Sequence, residues 1–592
     1  MNILFFATSN FKPDAGGIAE LGHQLASALT RQNHFITVLA HQTQQTHIFN
    51  DKDQNYKIVR LNKISKKYIE KEVSLIDYQV IFVLAMGSSV IQALELGKSY
   101  KIPVLLYVHG LEITKHRGNF ISSFIKRIGK QIIINNCDFI LCNSYYTMMQ
   151  LIKNHVNPHK IRVLHPGITF DSFDGVIEKK PEKLNNIDDP FFLTIGRIIE
   201  RKGIDTVIYS LPSIISKHPE IRYIIAGPID SKFKEKLLIY AREQNVQEYI
   251  YFLGEVTEEE KKWLLSHQIF FIMPSRELSN GDVEGFGIVF LESALFAKPS
   301  IGGNSGGIPD AIVHNLTGFL VDPTSPEDIS KYALMLLESP ELVTKMGAQA
   351  KRRAIEHFNW DKQARLFCSF INNNTSIAQS LGKTTQQYYD ILNSVPLTNP
   401  IDKIAATENL SILKDVLDNA SIPFFLFFGT LLGAQREKDF IDHDYDTDIV
   451  VFEPFLQNFI EIIPELEQKG LILARTTKED RIISLYRNGA YIDIYFAQLK
   501  RIGISKKWYI DYSSIKKSWL LSFIHIDFKG LDVLVPEKYE KILKRLYGKN
   551  WHIPKKDYEA NPDYFMKVVR FFKRKNKFHS IKRFLNWKQK RK

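Results

Sequence analysis

Residues able to do chemistry collect in two separate regions of this sequence. In "VEGFGIVFLESALFAKP" (283–299), Glu284 and Glu292 stand at the entry and in the second turn of a helical pattern. Gly285 and Gly287 let a ligand come close to the backbone, and the helix N-terminus favours phosphate. Two carboxylates beside an anion site point to hydrogen bonding with sugar hydroxyls. Upstream, "IGRIIERKG" ends a strand with Arg197 and follows with Lys202, two cations placed to neutralise a diphosphate. "DAGGIAEL" puts Gly16 and Gly17 at a strand-to-helix turn, and "YVHG" puts His109 at the C-terminal end of another strand.

The second region is "DFIDHDYDTDIVVFE" (439–453), with Asp442, Asp444, Asp446 and Asp448 at every second position. On a strand all four would share one face, neighbours ~6.5–7 Å apart, with Ile441, His443, Tyr445, Thr447 and Ile449 on the other. Oxygen ligands of this kind suit hard cations such as Mg²⁺. Nearby, "FFLFFGTLLGAQRE" places Gly429 and Thr430 between an apolar run and a helical pattern, offering amides and a hydroxyl to phosphate. "GAYIDIYF" sets Asp493 inside an apolar strand, a costly place for a charge unless it is paired or binds a cation. Asp446, Asp448 and Asp493 beside a glycine loop make a metal-assisted phosphoryl-transfer site, to which Arg436 adds a positive contact.

Three competing readings fit less well. A calcium loop would use Asp442, Asp444, Asp446, Asp448 and Glu453, yet Thr447 occupies the position that needs glycine and Pro454 follows where a helix should run. A purely structural acidic edge strand explains the acids but not their neighbours. "GNSGG" (303–307) matches a nucleophile elbow around Ser305, without identifiable acid and histidine partners.

These residues need elements to hold them. Residues 1–175 alternate apolar runs ("NILFFAT", "FITVLAH", "VIFVLA", "IPVLLYVHG", "DFILCNS", "IRVLHPG") with helical patterns, the signature of a doubly wound α/β sheet. A charged bridge at 178–190 precedes a second such unit over 190–371, with runs "FFLTIGR", "RYIIAGP", "YIYFLGE", "IFFIMPS", "KPSIGG" and "TGFLVDP". Polar residues at 372–399 read as a linker, 400–563 as a third unit of different style, and 564–592 as a basic tail. Two α/β units in series create a cleft where ligands bind.

Bulk properties agree. The chain of 592 residues is 44% apolar, enough for several cores. The net charge is +13, of which the twelve Lys/Arg of residues 564–592, with no acid among them, account for all but +1. No run of apolar residues is long enough to span a bilayer, and the first residues read as a strand, not a signal peptide. Cys137, Cys142 and Cys368 lack metal spacing and read as reduced core thiols of a cytosolic protein.

At the residues of the first region the chain resembles a retaining glycosyltransferase of family 4, with two Rossmann-like domains in the GT-B arrangement. The Glu-x₇-Glu pair, the "GR…RKG" segment, the "GG" turn and "GGNSGGIPDAIVHNLTGFLVDP" fall in family order over residues 1–371. The resemblance implies that Arg197 and Lys202 hold the donor diphosphate and that Glu284, with Gly285 and Gly287, meets the donor sugar. Glu292 would meet the nucleotide ribose, His109 the reacting centre, and Gly16 and Gly17 the phosphate and acceptor. It implies no metal in this half.

"GTLLGAQREKDFIDHDYDTDI" and "LYGKNWHIP" are similar to the LicD/fukutin family of nucleotidyltransferase-fold proteins. That similarity implies transfer of phosphocholine or an alditol phosphate from a CDP-linked donor onto a glycan, with Mg²⁺ or Mn²⁺ on Asp446, Asp448 and Asp493 and with Gly429 and Thr430 as the phosphate loop. Asp442-His443 and Tyr445 depart from the family's usual residues, while the acid pair is intact.

The expected partners are a nucleotide sugar, a CDP-linked donor and a glycan or lipid-linked acceptor, for the assembly of a surface polysaccharide. Two alternatives stay open for the C-terminal domain: a catalytically silent binding module, or an enzyme that uses CTP directly. The tail interleaves cations with Phe578, Ile581, Leu585 and Trp587, a pattern suited to an anionic membrane surface at the cytoplasmic face rather than to nucleic acid.

Overall fold

A computed structural model describes residues 1–8, 11, 17–42, 51, 54–110, 112, 129–168, 178–371, 401–442, 444–477, 482–502, 505–511 and 513–554. Gly16, the linker at 372–399 and the basic tail at 564–592 lie outside the described residues. The chain divides into two compact units, Met1–Ile371 and Asn372–Lys592.

The first unit holds two parallel sheets. One contains β1 (Asn2–Thr8), β2 (Phe35–His41), β3 (Lys57–Leu61), β4 (Val80–Val83), β5 (Val104–Val108), β6 (Phe139–Cys142) and β7 (Ile161–Val163), in the order β3-β2-β1-β4-β5-β6-β7. The other contains β8 (Phe191–Ile195), β9 (Arg222–Ala226), β10 (Ile250–Gly254), β11 (Phe271–Met273), β12 (Ser300–Gly303) and β13 (Gly318–Val321), in the order β10-β9-β8-β11-β12-β13. Strands such as β1 and β4 are apolar at consecutive positions because helices cover both sheet faces, and Ile3 to Phe6 and Val80 to Val83 are solvent-free.

In each sheet the strand order reverses beside the first strand, so the carboxyl ends open a crevice there. His109 directly follows β5 and Arg197 stands just past β8, both at those carboxyl ends. β3, "KIVRL", is an edge strand that the apolar-run pattern does not announce, since only Leu61 of its residues is fully buried.

The last helix of this unit, Trp360–Ile371, corrects the boundary at 190–371. Its residues Trp360, Phe367 and Phe370 belong to the core of the first sheet, where Phe367 meets Phe82 edge-on at 5.1 Å. The chain therefore crosses back before leaving the unit. Burial of one amphipathic face, not sequence order, decides where such a helix packs.

The second unit is built on a nine-stranded mixed sheet. Its strands are β14 (Phe424–Leu426), β15 (Asp446–Phe452), β16 (Ile472–Thr477), β17 (Ile482–Arg487), β18 (Ala490–Ile502), β19 (Ser505–Ile510), β20 (Ser513–Lys516), β21 (Phe523–Phe528) and β22 (Leu531–Pro536). The order is β16-β17-β18-β15-β14-β22-β21, with β19 added on β18 and β20 on β19. β15 runs parallel to β18 in a register that sets Asp448 opposite Asp493.

The strand carrying the aspartates starts later than their alternation predicts. β15 begins at Asp446, and the residues before it turn, with the Asp444 amide donating to the Ile441 carbonyl at 3.0 Å. The four acids therefore do not share a strand face. Asp442 points to solvent and pairs with Lys403 at 2.5 Å. The turn takes Asp442 away to Lys403 but leaves Asp444 closer to Asp446 and Asp448 than an extended strand would.

Candidate active sites

The crevice of the first unit gathers most of its expected residues. Arg201 and Lys202 both donate to the same oxygen, Glu284 Oε2, each at 2.5 Å, and Arg201 Nε faces Asp282 at 3.3 Å. Arg197 is exposed, yet close enough to Lys202 to act on its ammonium group. Burial alone would raise the Glu284 carboxyl, but the neighbouring Lys202 and Arg201 hold it down at about 2. Burial lowers the Lys202 ammonium; Glu284 opposes this, while Arg201 and Arg197 reinforce it. The Glu284 direction follows from the cations around it, whereas that of Lys202 follows first from burial; three cations beside two acids suit a site for a diphosphate.

Glycines let two strand ends meet here. A Cβ on Gly285 would lie 2.3 Å from the His109 carbonyl oxygen and 2.7 Å from Asn143 Nδ2. Gly287, in the left-handed region at φ 92, opens the helix Ile288–Leu295, and Gly17 lies beside Ile288. The His109 ring is fixed by Nε2 at 2.9 Å from the Leu84 carbonyl. A carbonyl can only accept, so Nε2 carries the proton and Nδ1 is left as an acceptor.

Glu292 sits in the same helix but is engaged elsewhere: Lys261, from the helix Glu258–His267, donates to it at 2.8 Å. Ser305 is no nucleophile elbow. Among the described residues neither a histidine nor an acid bonds its hydroxyl, and the flanking glycines pack on the backbone of Glu284, with Gly307 N donating to Glu284 O at 2.9 Å.

Two features escaped the sequence. Arg201 doubles the clamp on Glu284, and the tandem Arg-Lys of "ERKG" was its only signal. The pair of His165 Nε2 and Asp310 Oδ2, at 2.9 Å and buried, ties the two sheets together; Asp310 also accepts from Tyr145 N at 2.8 Å. Nothing local marks residues so distant in sequence as partners.

The second unit builds a site of the opposite charge. Asp444, Asp446 and Asp448 bring one carboxylate oxygen each to within 4.8 Å of one another. Asp448 is 6% exposed; it accepts from Gly429 N at 3.0 Å and from the Tyr495 hydroxyl at 3.2 Å. Its carboxyl is pushed well above the usual range by burial, then by Asp446, Asp444 and Asp493. Asp493, 5% exposed, lies on the adjacent strand and accepts from the Ser484 hydroxyl at 2.5 Å.

The predicted trio of Asp446, Asp448 and Asp493 is thus brought together with one change. The tight group contains Asp444, delivered by the turn before β15, whereas Asp493 stands beside Asp448 from the neighbouring strand.

Gly429 and Thr430 take a role other than the expected phosphate loop. The Gly429 amide is engaged by Asp448, and the buried Thr430 hydroxyl accepts from Asp448 N at 2.7 Å. A Cβ on Gly429 would lie 2.0 Å from Asp444 Oδ2, so the glycine makes room for that carboxylate. Phe428, at φ 39, turns the chain into the helix that carries both residues. Arg436 is likewise not aimed at the acids: it pairs with Glu437 at 2.5 Å and donates to the Trp551 carbonyl at 3.5 Å.

Three family profiles match in series. Residues 15–172 match the Glycosyltransferase Family 4 profile and residues 176–353 the profile of glycosyl transferases group 1. Residues 421–538 match the profile of the LicD/FKTN/FKRP nucleotidyltransferase domain. The chain is 27% identical, over 63% of its own length and 98% of the relative, to a GDP-mannose-dependent alpha-(1-6)-phosphatidylinositol monomannoside mannosyltransferase of Mycobacterium tuberculosis. It is 30% identical, over 38% of its length and 56% of the relative, to the mouse (Mus musculus) alpha-1,3/1,6-mannosyltransferase ALG2.

Among solved structures, Anabaena Alr3699/HepE in complex with UDP and glucose covers 63% of the chain, and all of that protein is matched, with TM-score 0.51 at 14% identity. Sucrose-phosphate synthase of Thermosynechococcus elongatus covers 63%, with 98% of that protein matched, at TM-score 0.51 and 18% identity. These two likenesses establish the paired-Rossmann fold of the first unit.

Proposed function

We propose that this chain, a family 4 glycosyltransferase fused to a LicD-type nucleotidyltransferase domain, carries out two transfers on a glycan of the cell surface. The first unit transfers a sugar with retention from a nucleotide sugar to a glycan or lipid-linked acceptor. The second moves phosphocholine or an alditol phosphate from a CDP-linked donor. The observation that supports this pairing is electrostatic: one crevice sets Arg197, Arg201 and Lys202 around Glu284, and the other cluster sets the buried Asp448 carboxylate beside further acids.

In the first unit Arg197 meets the donor diphosphate together with Lys202 and Arg201, and stabilises the negative charge that develops on the leaving group. Glu284, held ionised by the same cations, is oriented for a sugar hydroxyl, and Gly285 and Gly287 let the donor lie against the backbone. His109, with Nδ1 free to accept, stands where the sugar would react. The name of the mycobacterial relative, which includes GDP-mannose, supports a nucleoside-diphosphate sugar as donor.

In the second unit the residues fit a divalent ion. A buried carboxylate with two acidic neighbours in reach, and only the neutral donors Gly429 N and Tyr495 Oη, is a hard-cation ligand by its chemistry. Asp444, Asp446 and Asp448 would hold Mg²⁺ or Mn²⁺, with Asp493 beside them; when bound, the ion neutralises phosphate oxygens during displacement. Gly429, Thr430 and Tyr495 fix the Asp448 carboxylate, and Ser484 fixes Asp493. Among the described residues no helix is long and apolar enough to cross a membrane. Contact with an anionic membrane at the cytoplasmic face is assigned to the basic tail.

The test is mass spectrometry of products from the purified full-length chain, supplied with nucleotide sugars, CDP-linked donors and lipid-linked glycans. The expected result is one mass gain of a sugar that survives EDTA and another of a phospho-substituent that does not. Release of pyrophosphate from CTP would replace the second assignment, and binding without turnover would reduce it to a recruiting module.

A further inference from the structure

The far half of β18 forms a small sheet with β19 and β20 that serves neither site. Lys500 lies opposite Lys507, and Lys507 opposite Lys516, so three ammonium side chains form one row on one face. Neighbouring strands are ~4.8 Å apart, and like charges placed directly opposite repel. The reverse face is core, with Trp508, Ile510 and Ile515 solvent-free. Residues 500–517 carry six Lys/Arg and one Asp.

Among the described residues no carboxylate pairs with Lys500, Lys507 or Lys516; Lys500 lies 5.6 Å from the Tyr509 ring centre and Lys516 5.5 Å from that of Trp519. The next row on the same face is Gln498, Tyr509 and Ser514. Arg545, from the helix Tyr539–Tyr547, adds a fourth cation by donating to the Ser514 carbonyl at 2.7 Å and hydroxyl at 2.9 Å. Lys517 follows Lys516 directly and is pushed down to about 8, first by burial and then by Lys506.

We propose that this face docks an anionic glycan, a sugar chain whose phosphate or carboxylate groups lie along the row of Lys500, Lys507 and Lys516. A row of like charges weakens the fold unless something of opposite sign relieves it. An extended chain fits along a sheet face, and the rings of Tyr509 and Trp519 support the Lys500 and Lys516 ammonium groups that would meet it. Gln498 beside the row is buried and Ser514 is held by Arg545, so the charged lysine heads carry the binding, which suits a hydrated polymer better than lipid tails. The proposal rests on the reading that this chain extends and modifies glycans. Its test measures binding without turnover, so its failure leaves the catalytic assignments standing.

The full-length chain is titrated at physiological salt with dextran sulfate, with neutral dextran and with phosphatidylglycerol vesicles. The parent is expected to bind dextran sulfate and not dextran. The triple variant Lys500→Gln, Lys507→Gln, Lys516→Gln should bind dextran sulfate about tenfold more weakly, with vesicle binding unchanged, while a triple Lys→Arg variant keeps parental affinity. Lys507→Gln alone removes the centre of the row; it should leave the melting temperature unchanged or higher and weaken dextran sulfate binding about twofold, and it carries the test if the triple variant does not fold. Parental affinity in the glutamine variants, or a loss confined to vesicles, overturns the proposal.

Discussion

Glu284 and Asp448 are both carboxylates largely withdrawn from solvent near a helix start, and their surroundings drive them in opposite directions. Glu284 shares one oxygen with Arg201 and Lys202 and is held at about 2. Asp448 faces Asp446, Asp444 and Asp493, accepts from the neutral Gly429 amide and Tyr495 hydroxyl, and is driven up by burial and then by those acids. Withdrawal from solvent therefore has unequal consequences, because the sign of the neighbouring charge decides whether desolvation is overcome. The first region is suited to an anion and the second to a cation. The two phosphate-bearing donors proposed above would draw on both, direct cation clamping in one and a metal in the other.

The sharpest way to break this comparison is Asp448→Asn. It should lower phospho-transfer on the order of a thousandfold, since a metal ligand supports several kcal/mol of charge stabilisation, while sugar transfer by the same preparation is unchanged. The same variant should lose any rise in melting temperature that Mg²⁺ gives the parent. If both activities fall together, the two regions are not independent sites.

Stability against pH should move in opposite senses in the two regions. The depressed Glu284 carboxyl contributes about 3 kcal/mol that is present above its ordinary value near 4.5 and lost as pH falls toward about 2. The raised Asp448 carboxyl behaves inversely: without a divalent ion, stability is full below its ordinary 3.8 and declines as pH rises above it. Hydrogen exchange of peptides around 284 and 448 in the full chain, with Glu284→Gln as control for the first, reads both trends. A common direction would contradict the charge assignment.

Arg197→Ala sharpens the description of the anion site. Its side chain is exposed, so removal should cost about a hundredfold in sugar transfer with little change in melting temperature. Glu284→Ala is the poorer probe. It leaves Arg201 and Lys202 buried around a missing partner, and breaking such a pair costs about 3–5 kcal/mol of stability. A smaller effect is expected at Gly429. Gly429→Ala would push Asp444 from its place and weaken Mn²⁺ affinity about tenfold, measured by titration of the full chain.

Much of the architecture was written in short apolar runs. Every quoted run of residues 1–371 corresponds to a strand, because parallel strands covered on both faces must be apolar at consecutive positions. The edge strand β3 and the return of the helix Trp360–Ile371 to the first sheet were not legible, since neither has a local pattern that names its partner. In the first crevice, Arg197 and His109 could be placed at strand ends, and Glu284 ahead of a helix, from the sequence. Arg201 could not be separated from its neighbour Lys202 until both were seen on one oxygen.

The aspartate stretch divides most clearly between the two sources. Its composition by itself determined that carboxylate oxygens, the kind of ligand a hard cation takes, would gather around residues 444–448. Which of them gather was a tertiary decision. The turn at 441–445 sends Asp442 to Lys403 and returns Asp444 to the cluster, and the parallel pairing of β15 with β18 brings Asp493 beside Asp448. Gly429 and Thr430 read in sequence as ligands for phosphate; packed against β15, they hold Asp448. Residue type fixes what a side chain can bind, while strand register and turns fix what stands within its reach.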